Sequence, residues 1–554
     1  MNRKLAFSTA IGLLALVGGI YFSGFMVLLL LKLDAGQLTW RSYFDYVVAL
    51  DLPEVAPYAG TIRWAGYVGF GSPLLAYVAL LVLILKPQRK SLHGNARFAG
   101  VGDLARKGMF KPSPDGIIVG RCGKRLLRLA GQQFVILAAP TRSGKGVGVV
   151  VPNLLDYQES AVVLDIKQEN FNLTSGWRAG QGQDVFLFNP FAEDRRSHRW
   201  NPLGYVSADP AFRISDLQAI AAMLYPDASA ELKFWVSHAR NAFLAFTLHL
   251  FERFDEDRRN GFDACTPTLG AVLRLSSGDG SDLKAQLQSL SQQPFLGPAA
   301  RSAFTNLLSQ AEETFASIMG TFREPLNPWI NPVLDAATSD NDFDLTQLRR
   351  KRMTIYVGIQ PNKLAESRLI LNLFFSQVIN LNTRELPQND PTLKHQCLLL
   401  MDEFTSIGKV DIIASAVAYM AGYNLRLLPI IQSMAQLDAT YGKELARTIV
   451  TNHALQIMFA PREQQDAIDY SDMLGYTTLR RQNVTRGREF SRSESEDRRA
   501  LMLPQELKAM GAERQVFLYE GLPHPVLCEK VRYYRDRYFT RRLLPAADVA
   551  RTSA

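Results

Sequence analysis

Ala138-Ala139-Pro140-Thr141-Arg142-Ser143-Gly144-Lys145-Gly146-Val147-Gly148, directly after the apolar run Phe134-Val135-Ile136-Leu137, is the stretch on which the reading of the fold turns. An apolar run, a glycine-bearing turn and a renewed apolar pattern spell a buried strand, a tight loop and a helix start. Gly144-Lys145 stands where a phosphate-binding loop carries its glycine and lysine. Such a loop aims successive backbone N–H groups at phosphate oxygens, its lysine reaches the β- and γ-phosphates, and the dipole of the following helix adds positive potential. Thr141, Arg142, Ser143, Gly144, Lys145, Gly146 and Val147 are therefore candidate binding residues for a nucleoside triphosphate. The match to G-x-x-x-x-G-K-[ST] is imperfect, because Ala139 occupies the first glycine position and Gly146 the position of the magnesium-binding hydroxyl. Taken alone, the stretch also reads as an ordinary glycine-rich turn between a core strand and a helix.

A second signal lies far along the chain, where Gln396-Cys397-Leu398-Leu399-Leu400-Met401 runs into Asp402-Glu403. A buried parallel strand ending in adjacent carboxylates is the element that serves metal and water in P-loop ATPases. Asp402 is then the candidate for Mg²⁺, held through its hydration shell, and Glu403 the candidate that polarises an attacking water. The competing reading is a helix start whose dipole favours acids. Leu427-Leu428-Pro429-Ile430-Ile431 is a third apolar strand, and it ends in Gln432. Ligands of a parallel sheet bind beyond the carboxyl ends of its strands, so Lys145, Asp402 and Gln432 are expected to converge, with Gln432 a candidate γ-phosphate sensor. Otherwise Gln432 satisfies loop backbone.

Two segments set the ends of this α/β region apart. Leu5 to Leu31 and Trp64 to Leu85 carry no charged residue, and both exceed the roughly 20 residues that cross about 30 Å of hydrocarbon. A secretory leader has a shorter apolar core and no second long span behind it. Two transmembrane helices are expected, at about 5–31 and 64–85, with Pro73 kinking the second. Arg3 and Lys4 precede the first, and Lys86, Arg89 and Lys90 follow the second. The positive-inside rule thus assigns both ends to the cytoplasm and leaves roughly 30 residues outside. Neither uncharged run offers an ionisable residue for a transport pathway, so the pair anchors rather than conducts.

The chain has 554 residues, enough for two or three domains. Its net charge of +9 permits an anionic partner, whether nucleic acid or lipid, without requiring one. Cys122, Cys265, Cys397 and Cys528 are scattered without C-x-x-C spacing, which points away from a metal site or a disulfide framework. Strand-like runs at Gly116–Gly120, Ser160–Lys167, Asp184–Pro190, Met353–Ile359 and Arg514–Tyr519 alternate with helical patterns, as in a parallel α/β sheet. Between about Ala211 and Leu326 helical periodicity takes over, for example in Leu232–Phe254 and Arg301–Phe322. The expected organisation is a membrane anchor over 1–90, an α/β domain over 91–210 and 327–554, and an inserted all-α domain over 211–326. Phe234, Trp235 and Phe243 read as core of that insertion. Leu479 to Arg499 holds seven arginines against four acids, with few apolar residues. That composition reads as a mobile loop, either lining a pore where arginines track a phosphate backbone or simply solvated.

Together these residues resemble the TraG-like type IV secretion coupling proteins (the TraG/TraD family), which share a core with FtsK/HerA-type hexameric motors. The resemblance rests on Pro140 to Gly148 with Val151-Pro152-Asn153-Leu154-Leu155 behind it, on Val163-Leu164-Asp165-Ile166-Lys167, and on Met401-Asp402-Glu403-Phe404. It covers nearly the whole chain, and the glycine at Gly146 is common in that family. It implies a RecA-like P-loop domain with an all-α insertion, in a homo-hexameric inner-membrane ATPase that uses ATP and Mg²⁺. It implies as partners a relaxase with its single-stranded DNA or effector proteins, together with the inner-membrane components and ATPases of a type IV secretion channel. In such rings a neighbour's arginine reaches the γ-phosphate, and Arg426, Arg447 and Arg462 are the candidates. Two other functions fit parts of the pattern. A chromosomal DNA translocase of FtsK type would usually bring more spans and a C-terminal winged helix. A membrane docking receptor that binds nucleotide with little hydrolysis would suit the missing hydroxyl at Gly146.

Overall fold

The computed structural model describes residues 2–85, 92–227, 229–278, 280, 282–486 and 490–552. The chain forms two compact units, 1–92 and 93–554.

In the first unit two long helices, Asn2–Leu30 and Ala59–Leu85, flank a short one, Ser42–Val48. Ser8–Leu30 and Ala56–Val82 are each long and apolar enough to cross a membrane, and side chains such as Leu14 and Leu75 face outward. The second helix starts earlier than the uncharged run, at Ala59, and so takes in Arg63. Small residues set the approach of the two helices, since a Cβ on Gly69 would lie 2.3 Å from the Ser23 Cα. Without a hydrophobic drive between helices in lipid, such backbone proximity is what holds a pair together. Pro73 lies within the second helix, where the Ser72 hydroxyl donates to the Val68 carbonyl. The basic residues Lys86, Arg89 and Lys90 lie outside the described residues, as do the side chains of Arg3 and Lys4.

The second unit is built on thirteen strands among the described residues. In chain order they are β1 Ile117–Cys122, β2 Arg125–Leu129, β3 Val135–Ala138, β4 Ser160–Asp165, β5 Asp184–Phe188, β6 Met353–Gly358, β7 Cys397–Met401, β8 Leu425–Ile431, β9 Leu455–Met458, β10 Tyr476–Arg486, β11 Phe490–Ala500, β12 Arg514–Tyr519 and β13 Val526–Glu529. Eleven form one sheet, in the order β2-β1-β13-β12-β9-β3-β8-β7-β4-β6-β5. From β9 to β5 every neighbouring pair is parallel. β12, β13, β1 and β2 extend it with antiparallel pairs. The sheet is thus mixed rather than wholly parallel, because β12, β13, β1 and β2 form an antiparallel wing beside β9. β3, β4, β6, β7 and β8 are buried along their whole length, as continuous apolar runs covered on both faces must be.

Between β5 and β6 the chain is helical, with Pro210–Leu224, Lys233–Arg259, Leu269–Ser277, Leu283–Ser291, Pro298–Leu308, Glu312–Arg323 and Pro332–Ala337 as its α-helices among the described residues. The segment of helical periodicity from Arg301 to Phe322 falls on two helices, separated at 309–311. Phe246 anchors this layer, with ring centroids 5.8 Å from Phe304 and 5.2 Å from Phe322. One apolar core runs from these helices into the sheet through Trp200, Phe188 and Phe374. Phe243 is buried, but Phe234 is 47% exposed.

The arginine-rich segment is a β-hairpin, not a loop. β10 and β11 pair antiparallel from Tyr476↔Ala500 to Arg486↔Phe490. Its base is tied by the Asn95↔Thr477 bridge and by the His93 N–H, which donates to the Thr478 hydroxyl. Arg488 lies outside the described residues, as do the side chains of Arg486 and Arg492.

Candidate nucleotide site

Because β3, β4, β7 and β8 run parallel, their carboxyl ends meet at one edge. A cavity of about 430 Å³ opens there, lined by Thr141, Arg142, Gly144, Lys145, Gly146 and Val147 from the β3 loop and by Asp402 and Glu403 from the end of β7. The loop is a turn closed by the Ser143 N–H on the Pro140 carbonyl. Arg142 at φ 60° and Gly144 at φ +85° are both left-handed, a conformation that glycine takes without strain and arginine does not. A Cβ on Gly144 or Gly146 would meet no atom within 4 Å, so the space before the loop is open. The helix behind it begins with a π-turn, Gly146–Val150, in which the Val151 N–H reaches the Gly146 carbonyl. Pro152, with no N–H to offer Gly148, favours that register. Asn153 then pins the helix to β1, accepting from the Ile118 N–H and donating to the Ile118 and Val149 carbonyls.

Lys145 Nζ lies 2.9 Å from Asp402 Oδ1 and 3.3 Å from Glu403 Oε1. The first is an ion pair without hydrogen-bond alignment, which leaves Asp402 Oδ1 buried with no hydrogen bond. Burial pushes the Asp402 carboxyl above its ordinary pKa, and the Lys145 charge opposes this. Glu403 sits at φ 55°, its carbonyl accepting from both the N–H and the hydroxyl of Ser406. A non-glycine residue held in that conformation at a cleft costs on the order of 1–3 kcal/mol. The Thr141 hydroxyl donates to Gln432 Oε1 over 2.8 Å, so the β8 end reaches the loop as expected. The Gln436 side-chain amide also donates to that oxygen, at 3.4 Å.

Sequence reasoning missed several residues of the cavity wall. Asp165 is the chief one: Leu164 pairs with Met401, so Asp165 and Asp402 close adjacent strands side by side. Burial raises the Asp165 pKa to about 7, against the lowering effect of the Phe171 and Asn170 N–H groups, and the Asp402 charge adds to the rise. An apolar run ending in Asp was visible for β4 just as for β7. Glu169, Asn170 and Tyr533 also line the cavity, and for Tyr533, almost at the other end of the chain, no local pattern gave a signal.

The three arginine candidates separate. Arg426 is fully buried, and its guanidinium donates to the carbonyls of Gln133, Asp115 and Leu129. As the second residue of β8 it stands about 16 Å of strand from the end that bears Gln432, so it is an internal staple and cannot reach a neighbouring subunit. Arg447 is exposed on the helix Lys443–Thr451. Arg462 is exposed four residues beyond β9, whose Met458 is in register with Ala138, so it stands at the same edge as the loop.

A family model described as "Type IV secretory system Conjugative DNA transfer" matches residues 96–553. The chain belongs to that family. Protein VirD4 of Agrobacterium fabrum is 31% identical over 505 residues, spanning 88% of this chain and 73% of that protein. Conjugal transfer protein TraG of Escherichia coli is 28% identical over 511 residues, spanning 83% and 79%. Among solved structures, the conjugative coupling protein TrwBdeltaN70 in a trigonal form with sulphate gives a TM-score of 0.58 at 17% identity, over 82% of this chain and 98% of that one. The plasmid coupling protein TrwB with the non-hydrolysable ATP analogue ADPNP gives 0.56 at 17%, over 84% and 97%. This conjugative DNA-transfer family member therefore shares the coupling-protein fold, with its large mixed sheet.

Proposed function

We propose that the protein is a membrane-anchored coupling ATPase: it binds ATP with Mg²⁺ at the β3 loop, hydrolyses it, and thereby delivers substrates to a type IV secretion channel. The observation that carries this reading is the meeting of Lys145, Asp402, Glu403 and Thr141 around one cavity, with Gln432 outside its lining but bonded to Thr141, in a chain of this family. The donor set fits the cofactor. An open loop of backbone N–H groups beside a lysine suits phosphates, and two crowded carboxylates, one with an oxygen that is ion-paired to Lys145 but accepts no hydrogen bond, suit a divalent cation. Among the described residues no group of three or more His, Cys, Asp and Glu could hold a metal unaided, so Mg²⁺ would be shared with phosphate oxygens and water. Asp402 would hold it, with Asp165 beside, in place of the hydroxyl that Gly146 lacks. Bound there, Mg²⁺ supplies neutralisation of charge on the transferring phosphate.

The protein's own groups divide the remaining work. Lys145 is released from its acidic partners to the phosphates, Glu403 orients a water and takes up its proton, and Gln432 follows the terminal phosphate through Thr141. Assembly as a homo-hexamer would bring Arg462 of one subunit toward the site of the next. The apolar helices would span the inner membrane with both termini cytoplasmic, the α/β region would bind and hydrolyse nucleotide, and the helical region 211–326 would meet the cargo, a relaxase with single-stranded DNA or an effector protein.

The test is Mg²⁺-dependent ATP turnover by the full chain in detergent, with and without single-stranded DNA, beside Lys145→Ala and Glu403→Gln. Both variants should fold and lose at least 100-fold in turnover and all substrate transfer; transfer at the normal rate by either would sink the proposal. The missing hydroxyl at Gly146 favours a second reading, a nucleotide-binding receptor without useful hydrolysis, and DNA-stimulated turnover would eliminate it.

A further inference from the structure

Lys530 follows β13 on the antiparallel wing, yet its side chain reaches the phosphate loop. Its Nζ donates to the Ser143 carbonyl over 3.2 Å and lies 3.7 Å from the centre of the Phe459 ring, just past β9. Its own N–H is fixed on the Glu513 carbonyl at 2.8 Å, and the residue is 7% exposed. The Gly148 backbone, at the start of the loop helix, packs near its Cβ. A buried ammonium with one carbonyl and one ring face is costly, and an apolar side chain of the same length would fill the space more cheaply.

The geometry of the peptide unit shows what the contact achieves. A planar trans peptide sends its carbonyl and the next N–H in opposite directions. Gly144 lines the cavity, whereas Lys530 lies outside its lining. Drawing the Ser143 carbonyl back onto the ammonium therefore turns the Gly144 N–H forward, into the space where phosphate oxygens would lie. Gly144 supports this arrangement with its φ of +85°.

We propose that Lys530 is a positioning residue of the phosphate loop, its charged side chain locking the Ser143–Gly144 peptide with the N–H toward bound nucleotide. This rests on the reading of the cavity as a nucleotide site. It also means that the antiparallel wing, and not the parallel strands alone, sets the shape of the loop.

The charge on Lys530 is adjustable. Burial and, to a smaller degree, the Arg532 charge together lower its pKa to about 8, with Glu513 opposing. The other groups in contact with it, Ser143, Gly148 and the Phe459 ring, are uncharged. The side chain is therefore cationic at pH 7 and neutral by pH 9.5.

The experiment is titration of the full chain in detergent with a fluorescent ADP analogue and Mg²⁺ between pH 6.5 and 9.5, for the wild type, Lys530→Met, Lys530→Arg and Lys145→Ala. Lys530→Met should bind about tenfold more weakly at pH 7, the scale of one charge-assisted hydrogen bond. Wild-type affinity should fall toward that of the Met variant above pH 8, and Lys530→Arg should hold wild-type affinity across the whole range. A Met variant within twofold of wild type at pH 7, or an Arg variant that keeps the alkaline decline, overturns the proposal. If the Met variant does not fold, the Arg profile decides alone. If the wild type itself binds no nucleotide and matches Lys145→Ala, the nucleotide reading of the cavity falls and this inference with it.

Discussion

The edge of the sheet that carries Lys145 and the hairpin β10–β11 are both rich in charge, and they hold it in opposite ways. At the edge, Asp165, Asp402 and Glu403 stand at the ends of strands buried along their length, with Lys145 facing them from the loop, and the carboxyl groups of Asp165 and Asp402 are pushed away from their ordinary behaviour. On the hairpin, Arg480 meets Glu496 at 3.0 Å, Arg481 meets Asp497 at 3.9 Å and Arg498 lies over the Tyr476 ring, all of them solvated to a large degree. Chemistry requires the first arrangement, because charges act strongly on one another where water is scarce. The second leaves cations free to meet a partner at little cost to the fold. Lys145 is built to work on a small ligand and the hairpin to stay soluble.

The contrast makes buried charge in the sheet irreplaceable and hairpin charge dispensable, which substitutions can break. Arg426 is the most demanding case, since removing it strands three backbone carbonyls inside the protein. Arg426→Met should cost about 3–5 kcal/mol in denaturant unfolding. A loss below about 1 kcal/mol would mean that burial does not govern charge here. His453, fully enclosed just before β9, offers a pH-based version. Burial lowers its pKa to about 4 while its Nδ1 bonds the Ile449 carbonyl. A histidine whose folded pKa is depressed leaves the unfolded chain to bind the extra proton, so stability falls as pH drops from about 6.5 toward 4. His453→Phe should flatten the acid side of the stability profile, sparing on the order of 2 kcal/mol at pH 5. Thermal unfolding between pH 7 and 5 measures this, and an unchanged slope would place the acid sensitivity elsewhere.

What could be read in advance follows the same division. Strands buried on both faces announce themselves as apolar runs, so β3, β4, β7 and β8 were legible within a residue or two, and with them Lys145, Asp402, Glu403 and Gln432. Asp165 ends an apolar run as Asp402 does, but with no second carboxylate behind it the run marks a strand and not a site. Arg426 stands at the amino end of β8, away from the carboxyl-end site, and its partners Gln133, Asp115 and Leu129 are distant in sequence, so no local pattern shows that it is an internal staple. Lys530 and Tyr533 reach the loop through an antiparallel wing whose short members, such as β13, are too brief to stand out from their surroundings. The hairpin sequence reads as a loop because it holds few apolar residues and no alternation of apolar and polar ones, and among its described side chains only Ala500, at its base, is buried.

The smallest effect belongs to that hairpin, and it tests the contrast from its other side. The Arg480–Glu496 pair spans opposite residues of an antiparallel ladder with both side chains partly in water. Cross-strand pairs of this kind contribute about 0.2–1 kcal/mol, and salt screens them. A double-mutant cycle with Arg480→Ala and Glu496→Ala, read by hydrogen exchange of the β10 and β11 amides, should give a coupling within that range that shrinks at high salt. A two-stranded ribbon without an apolar face is marginal by itself, so its amides should also exchange well before those of β3. Coupling above about 2 kcal/mol that ignores salt would show that water does not reach this face in solution. The hairpin would then be packed against a partner or a second copy of the chain, and its charge would belong with the buried charge of the sheet.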